Sequence, residues 1–240
     1  MNGINAIMRN KNIIAIILAR GGSKGIPKKN VMSFCGKPLI AWTISQALAS
    51  RHVNSVYVSS DDKEILNVAA RFGAHGIDRP RRLATDTASS DAALAHALET
   101  VERKSGKKTD LIVFLQATSP LRAAHDLDNA VETLIAQKAD SLFSASLLDD
   151  YCIWRKSGRK LGSLTYDYKK RGRRQDRKPL YLENGSIYVF KPSVLNKFNN
   201  RLGGRIAISI MEYWKSYEID RVEDIEICEY FMKKNILKRR

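Results

Sequence analysis

Cysteine is scarce in this chain: Cys35, Cys152 and Cys228 are the only three among 240 residues. They lie far apart and form no C-x-x-C pair, so neither a disulfide framework nor a zinc site is encoded, and a reducing, cytoplasmic setting is expected. Long apolar runs are missing as well; no stretch approaches the roughly 20 apolar residues that a membrane span needs. Residues 13–19 follow Arg9 and Lys11 and so resemble a secretory leader faintly, but the run is at the short limit and Arg20 ends it. Repeats and low-complexity tracts are absent. So are two common nucleotide fingerprints, since the opening loop has neither the G-x-x-x-x-G-K-[ST] spacing nor G-x-G-x-x-G.

What is present is ordinary in amount and uneven in placement. A hydrophobic content of 44% and a charged content of 28% fit a globular protein, and 240 residues suffice for one large α/β domain without a second. The formal charge is +16. Residues 155–178 hold 11 Lys or Arg against 2 Asp, and residues 233–240 add 5 more basic side chains, which accounts for +14 of that total. A basic arm and a basic tail are therefore attached to a nearly balanced body, and solvated faces are the plain explanation of both.

The rest of the chain is organised around residues 13–30, IIAIILARGGSKGIPKKN. A short apolar run closed by glycines predicts a strand covered on both faces, as in a parallel sheet. It opens into a loop in which Gly21, Gly22 and Gly25 separate Arg20, Lys24, Lys28 and Lys29. Glycines let main-chain N–H groups approach a ligand closely, and the cations converge on something anionic, with phosphate the natural candidate. Pro27 argues against a helix starting at once, so an extended loop, and not chiefly a helix N-terminus, would hold the phosphate.

Taken in order, the chain alternates strands and helices. Residues 38–50 carry apolar side chains at helical spacing, 55–60 read as a strand, and Asp61 and Asp62 cap a helix over 63–72 that Gly73 closes. The polar segment 78–91 precedes a helix at about 92–104. LIVFL at 111–115 is the most convincing central strand and is followed by the polar loop 116–122, a helix over 126–137 and a strand over 141–146. This βαβα order predicts a parallel sheet with crossover helices, and ligands in such sheets bind beyond the carboxyl ends of the strands, where the polar loops would line one cleft. Residues 148–182 lose all periodicity and read as an excursion of short strands or an arm. A strand over 186–190, a short helix over 192–198, a strand over 206–211 and a helix from 222 to about 234 complete the pattern.

Five segments carry a resemblance. ARGGSKGIPKKN, RPRRLATDTASS, QATSPLR, ENGSIYVF and YEIDRVEDIE are similar, in order and spacing, to the motifs of the cytidylyltransferases that activate sialic acids and related nonulosonic acids. The resemblance spans most of the chain. It implies a three-layer, Rossmann-like α/β fold: a mostly parallel sheet with helices on both faces, forming one domain over 1–240 with a dimerisation arm inserted at about 148–182. It also implies transfer of CMP from CTP to the anomeric hydroxyl of a 2-keto-3-deoxy nonulosonic acid, with release of pyrophosphate.

Carried over by position, the resemblance assigns Arg20, Gly21, Lys24, Lys29 and Asn30 to the triphosphate, and Arg79, Ala88, Ser89 and Ser90 to base and ribose. Neutralising charge on the leaving pyrophosphate is the main task in such chemistry, which makes Arg20, Lys29 and Asp220 the catalytic set. Lys28 is expected to face solvent, and Arg81 and Arg82 to be surface charge. Gln116, Ser119, Asn184 and Gly185 match the sugar side. Arg122 is open between the substrate carboxylate and a structural salt bridge, and Arg174 matches a residue that reaches the partner subunit's anionic sugar. Asp220 matches the principal magnesium carboxylate; Glu218 stands where the family commonly has Asp, so its role as a second ligand is open beside a structural one. Asp224 reads as the first-turn acid of the last helix. The four histidines, His52, His75, His96 and His125, read as structural, leaving metal activation of the hydroxyl as the expected route to deprotonation.

The implied partners are CTP, a nonulosonic acid, Mg²⁺ and a second copy of the chain, with no membrane. Two other readings stay beside this one: a cytidylyltransferase for an eight-carbon 3-deoxy sugar acid, and an RNA-binding protein that uses the basic arm and tail.

Overall fold

The computed structural model describes Met8, residues 10–148 and residues 151–237, with the exception of the Arg174 side chain. β1 (Ile13–Leu18) leads through the basic loop to a small hairpin, β2 (Ser33–Phe34) with β3 (Lys37–Pro38), and then to α1 (Leu39–Leu48). There follow β4 (Ser55–Ser60), α2 (Lys63–Arg71), β5 (His75–Asp78), α3 (Ser90–Ser105), β6 (Leu111–Gln116), α4 (Ala124–Ala136) and β7 (Ser141–Leu148). A second hairpin, β8 (Trp154–Ser157) with β9 (Lys160–Ser163), precedes β10 (Leu180–Phe190), α5 (Pro192–Phe198), β11 (Ile206–Met211) and α6 (Val222–Phe231).

Seven strands form one sheet in the order β11-β7-β10-β6-β1-β4-β5. All neighbours pair in parallel except β10, which runs antiparallel to both β6 and β7. The sheet is thus mostly parallel, as expected, with helices on both faces. Alternation along β1 builds both layers: Ile13, Ala15 and Ile17 pack with residues of α1, α2 and α4, whereas Ile14 and Ile16 pack with residues of α3 and α5. Each such isoleucine, fully removed from water, contributes about 1.5–3 kcal/mol. A third cluster joins Ile26 of the basic loop to Phe34, Leu39, Leu121, Ile219 and Cys228 of α6. It fixes the loop after β1 against the segment that precedes α6.

Several boundaries differ from expectation for identifiable reasons. β10 begins six residues before Ser186, because Leu180 to Glu183 pair with Leu148 to Ala145 ahead of a register shift between Glu183 and Tyr188. The end of the expected excursion is therefore strand, and its middle is the β8–β9 hairpin. The last helix stops at Phe231 and continues as a π turn over Met232–Ile236. β5 was not expected; only Ile77 of its four residues is buried, so it carries little apolar signal. Asp62 does cap α2, accepting from the N–H groups of Glu64 at 2.7 Å and Ile65 at 3.4 Å. Among the described residues no helix is long and apolar enough to cross a membrane.

Candidate active site

The chain runs from β1 outward to β4 and β5 and then returns to the other side of β1 with β6, so the strand order reverses between β1 and β6. Loops leaving the carboxyl ends of two such strands must part, and a cleft of about 520 Å³ opens there. Ala19 extends the β1–β4 ladder by one bond, N–H to Ser59 O at 3.1 Å, after which the chain turns into the basic loop. Gly25 lies so close to the segment before α6 that a Cβ would sit 2.4 Å from the Asp220 carbonyl oxygen, which excludes any side chain. Lys28 adopts the left-handed conformation, φ 53°, and starts a 3-10 turn over Lys29–Val31.

That turn sends two adjacent lysines in opposite directions. Lys28 points out and pairs with Glu64 at 2.7 Å. Lys29 points in, only 12% exposed, and its ammonium donates to Ile219 O at 2.8 Å and Asp220 Oδ1 at 2.9 Å. Asn30 is buried and donates from Nδ2 to Arg20 O at 3.1 Å, holding the loop's curvature from within. Arg20, Lys24, Lys29 and Asn30 all line the cleft. Gly21 does not: its N–H is taken by Asp61 Oδ1 at 3.1 Å, and its missing side chain makes room for Asp62.

The facing wall comes from the segment between β5 and α3. Arg79 is buried beneath it, donating from Nε to Ser59 Oγ at 3.0 Å and from Nη2 to Ser59 O. Burial pushes its guanidinium down to about 10, with Asp61 opposing and Arg20 reinforcing the shift. Ser89 caps α3 by accepting from Asp91 N–H at 3.1 Å, and Ala88 and Ser90 line the cleft beside it. Two residues of this wall escaped sequence reasoning. Asp86 bridges Arg20 Nη1 and Lys24 Nζ, each at 2.7 Å. Arg201 follows α5, chelates Asp91, donates to Ser90 Oγ at 2.6 Å and lies over the rings of Phe114 and Tyr188 at 5.1 and 5.0 Å. Neither pairing has a local signature, because the partners are far apart in sequence.

The residues expected to face the sugar divide. Gln116 lines the cleft, and Gly185, at φ 65°, leaves space for it: a Cβ there would meet Gln116 Nε2 at 2.9 Å. Ser119 and Arg122 are instead inside the scaffold, which corrects their expected contact with a sugar, whereas Asn184, though buried, lines a smaller hollow beside Gly185. Ser119 is 1% exposed. Asn184 accepts from Ser144 Oγ at 2.5 Å and Ser186 N–H at 3.2 Å. Arg122 is wholly buried and is consumed by main-chain carbonyls: Nε donates to Ser119 O at 3.0 Å, Nη1 to Ser186 O at 3.0 Å, and Nη2 to Gln116 O and Ser119 O. Both the substrate-carboxylate role and the salt-bridge alternative give way to a strut between the β6 loop and β10. Arg174 begins a 3-10 turn between β9 and β10, and its side chain lies outside the described residues.

The acidic end of the site is carried by the segment between β11 and α6. Lys215, 3% exposed, pairs with buried Asp126 at 2.8 Å and so ties this segment to α4. Beyond it Asp220 lines the cleft opposite the basic loop, while Glu218 lines a second, smaller hollow with Gly185 and Tyr188. Burial, then the Asp220 charge, raises the Glu218 carboxyl above the usual carboxylate range, with Lys29 opposing. Asp224 accepts from the N–H groups of Asp220 at 2.9 Å and Arg221 at 2.7 Å, which makes it a capping residue for α6. Among the described residues no cluster of three or more His, Cys, Asp or Glu could hold a metal by itself. No described histidine lines the cleft.

Comparison with known proteins places this arrangement. A family model described as cytidylyltransferase matches residues 14–239. N-acylneuraminate cytidylyltransferase A of Danio rerio is 37% identical over 228 residues, covering 92% of this chain and 51% of that protein. The chain thus spans about half the length of that relative. Pseudaminic acid cytidylyltransferase of Campylobacter jejuni subsp. jejuni serotype O:23/36 (strain 81-176) is 32% identical over 226 residues, covering 92% of this chain and 97% of that one. Among solved structures, a CMP:2-keto-3-deoxy-manno-octonic acid synthetase complexed with CTP superposes with a TM-score of 0.69 at 16% identity, covering 94% of this chain and all of that one, a likeness of fold. A parallel sheet with a cationic loop after its first strand, matched along nearly the whole chain by that family model, makes this protein a member of the cytidylyltransferase family.

Proposed function

We propose that the protein transfers CMP from CTP to the anomeric hydroxyl of a 2-keto-3-deoxy nonulosonic acid and releases pyrophosphate. The observation that carries this reading is the convergence of Arg20, Lys24 and Lys29 from one wall, Arg79, Ser89 and Ser90 from the other, and Asp220 between them, on one cleft. The three cations suit a triphosphate, and the buried arginine with the α3 cap suits a base and ribose. Gln116, supported by Gly185, presents an amide to the hydroxyls of the acceptor.

The carboxylates fit a hard divalent cation such as Mg²⁺, which takes oxygen ligands and needs only one or two from protein when phosphates supply the rest. Asp220 would hold it, with Glu218, two residues away, as second donor. When bound, such an ion neutralises phosphate charge and lowers the pKa of a hydroxyl that it contacts. Lys29 then stands beside Asp220 to meet charge developing on the leaving group. A reducing cytoplasm is the setting that three widely spaced cysteines without a C-x-x-C pair suggest.

The test is pyrophosphate release from CTP with Mg²⁺ across a panel of nonulosonic and octulosonic acids, with the other nucleoside triphosphates as controls. Release with CTP and one nine-carbon acid, abolished by EDTA, is the expected result. Turnover of the eight-carbon acid alone would transfer the assignment to the octulosonate reaction. Silence across the panel from folded protein, together with steeply salt-dependent RNA binding, would replace the enzyme reading altogether.

The arm supports a homodimer. Tyr151, Trp154, Leu161, Leu164 and Tyr168 are exposed on it, a concentration of large apolar side chains that an isolated chain leaves in water. Light scattering at micromolar concentration should give twice the chain's mass. A monomeric mass with full activity would refute the dimer.

A further inference from the structure

Two of the cations that line the cleft, Arg20 and Lys24, share a single carboxylate. Asp86 divides its carboxylate between Arg20 Nη1 and Lys24 Nζ, at 2.7 Å each, and so spans the cleft from the segment before α3 to the loop after β1. Asp86 and Lys24 remain largely in contact with water, at 48% and 74% side-chain exposure, so the bridge is an open surface contact that an incoming anion can reach and replace. The arrangement is lopsided: one carboxylate carrying a single charge faces two cations. A polyphosphate brings several charges to the same place; orthophosphate brings few.

We infer that Asp86 is a specificity-determining counter-ion that competes with phosphate for Arg20 and Lys24, so that anions of low charge, and the released pyrophosphate, are held less tightly than the triphosphate. A substrate triphosphate displaces Asp86 because its other contacts, to Lys29 and the nucleoside wall, add to the exchange. Pyrophosphate lacks the nucleoside contacts, and the return of Asp86 to both cations favours its departure. Asp86 touches neither base nor sugar in this scheme; it sets the threshold that an anion must exceed. The inference rests on reading Arg20 and Lys24 as phosphate ligands.

Titration calorimetry with sodium pyrophosphate and with orthophosphate, on the full chain without sugar, tests both layers. Exposed ion pairs are individually weak, so Asp86→Asn should tighten pyrophosphate binding by roughly 3- to 10-fold. It should also make orthophosphate binding measurable, lower KM for CTP by a clearly smaller factor than it tightens pyrophosphate, and lower kcat where product release limits it; equal factors for the two would overturn the role in discrimination. Asp86→Glu, which keeps the charge, should behave as the parent chain does. In a Lys24→Met background the gain from Asp86→Asn should shrink, because one of its two partners is gone. Pyrophosphate binding that is unchanged or weaker in Asp86→Asn would overturn the inference and leave Asp86 a clamp that shapes the α3 wall. Absence of pyrophosphate binding in parent and variant alike would instead overturn the assignment of Arg20 and Lys24 to phosphate.

Discussion

Lys29→Met is expected to lower kcat/KM for CTP roughly 100- to 1,000-fold, the effect of removing one preorganised donor from the place where charge develops. Methionine keeps the length of the lysine stem and lacks only the ammonium, so the loop should keep its path; Ile26 and Phe34 hold it in the apolar cluster under α6. What is lost is a cation that is 12% exposed and fixed by two acceptors on the opposing segment, Ile219 O and Asp220 Oδ1. Because that ammonium is immobilised before substrate arrives, little reorganisation is needed as the pyrophosphate leaves, and kcat should fall further than KM rises. Lys28→Met supplies the control one residue away. Its ammonium is 70% exposed and paired with Glu64 outside the cleft, so activity should change by less than about 2-fold, as expected for an exposed pair. A rise in KM with kcat preserved in Lys29→Met would reduce Lys29 to a ground-state contact.

Lys29 toward phosphate and Lys28 toward solvent were both expected from the resemblance, and the local residues account for that difference, whereas other distinctions were not legible in the sequence. Residues 13–30 encode their own local structure: an apolar strand, glycines at close approaches, and a left-handed turn at Lys28 that alternates the directions of neighbouring side chains. The Asp62 cap and the assignment of Asp224 to the start of α6 rest likewise on contacts a few residues apart. Orientation across the fold is another matter. The motifs QATSPLR and ENGSIYVF place their residues near the cleft, yet Ser119 and Arg122 are buried inside the scaffold, Arg122 bonded to carbonyls of its own loop and of β10. Arg122 meets Ser186, 64 residues on, and Arg201 meets Asp91, 110 residues back. The antiparallel course of β10 is invisible for the same reason: an apolar run declares a strand and not its direction.

Arg122→Met is expected to cost about 3 kcal/mol of stability, read from urea unfolding, as the balance of two opposing effects. Against the arginine stands its burial, which pushes the guanidinium down to about 9 despite the nearby Asp126 charge. In its favour stand three carbonyls, of Gln116, Ser119 and Ser186, that would be left without this donor in a site closed to water. Each abandoned buried acceptor costs about 1–3 kcal/mol, whereas replacing a buried cation by an apolar side chain recovers part of its desolvation. The carbonyls outnumber the charge, so the net sign is destabilising. Arg122→Lys should recover only a fraction, since one ammonium cannot span the β6 loop and β10 as a planar fork does. The consequence for function follows from geometry: the strut is bonded to the main chain of Gln116, whose side chain faces the cleft. Loosening it should raise KM for the sugar acid more than KM for CTP. Full stability combined with lost sugar affinity would return Arg122 to the substrate, as a direct ligand of its carboxylate.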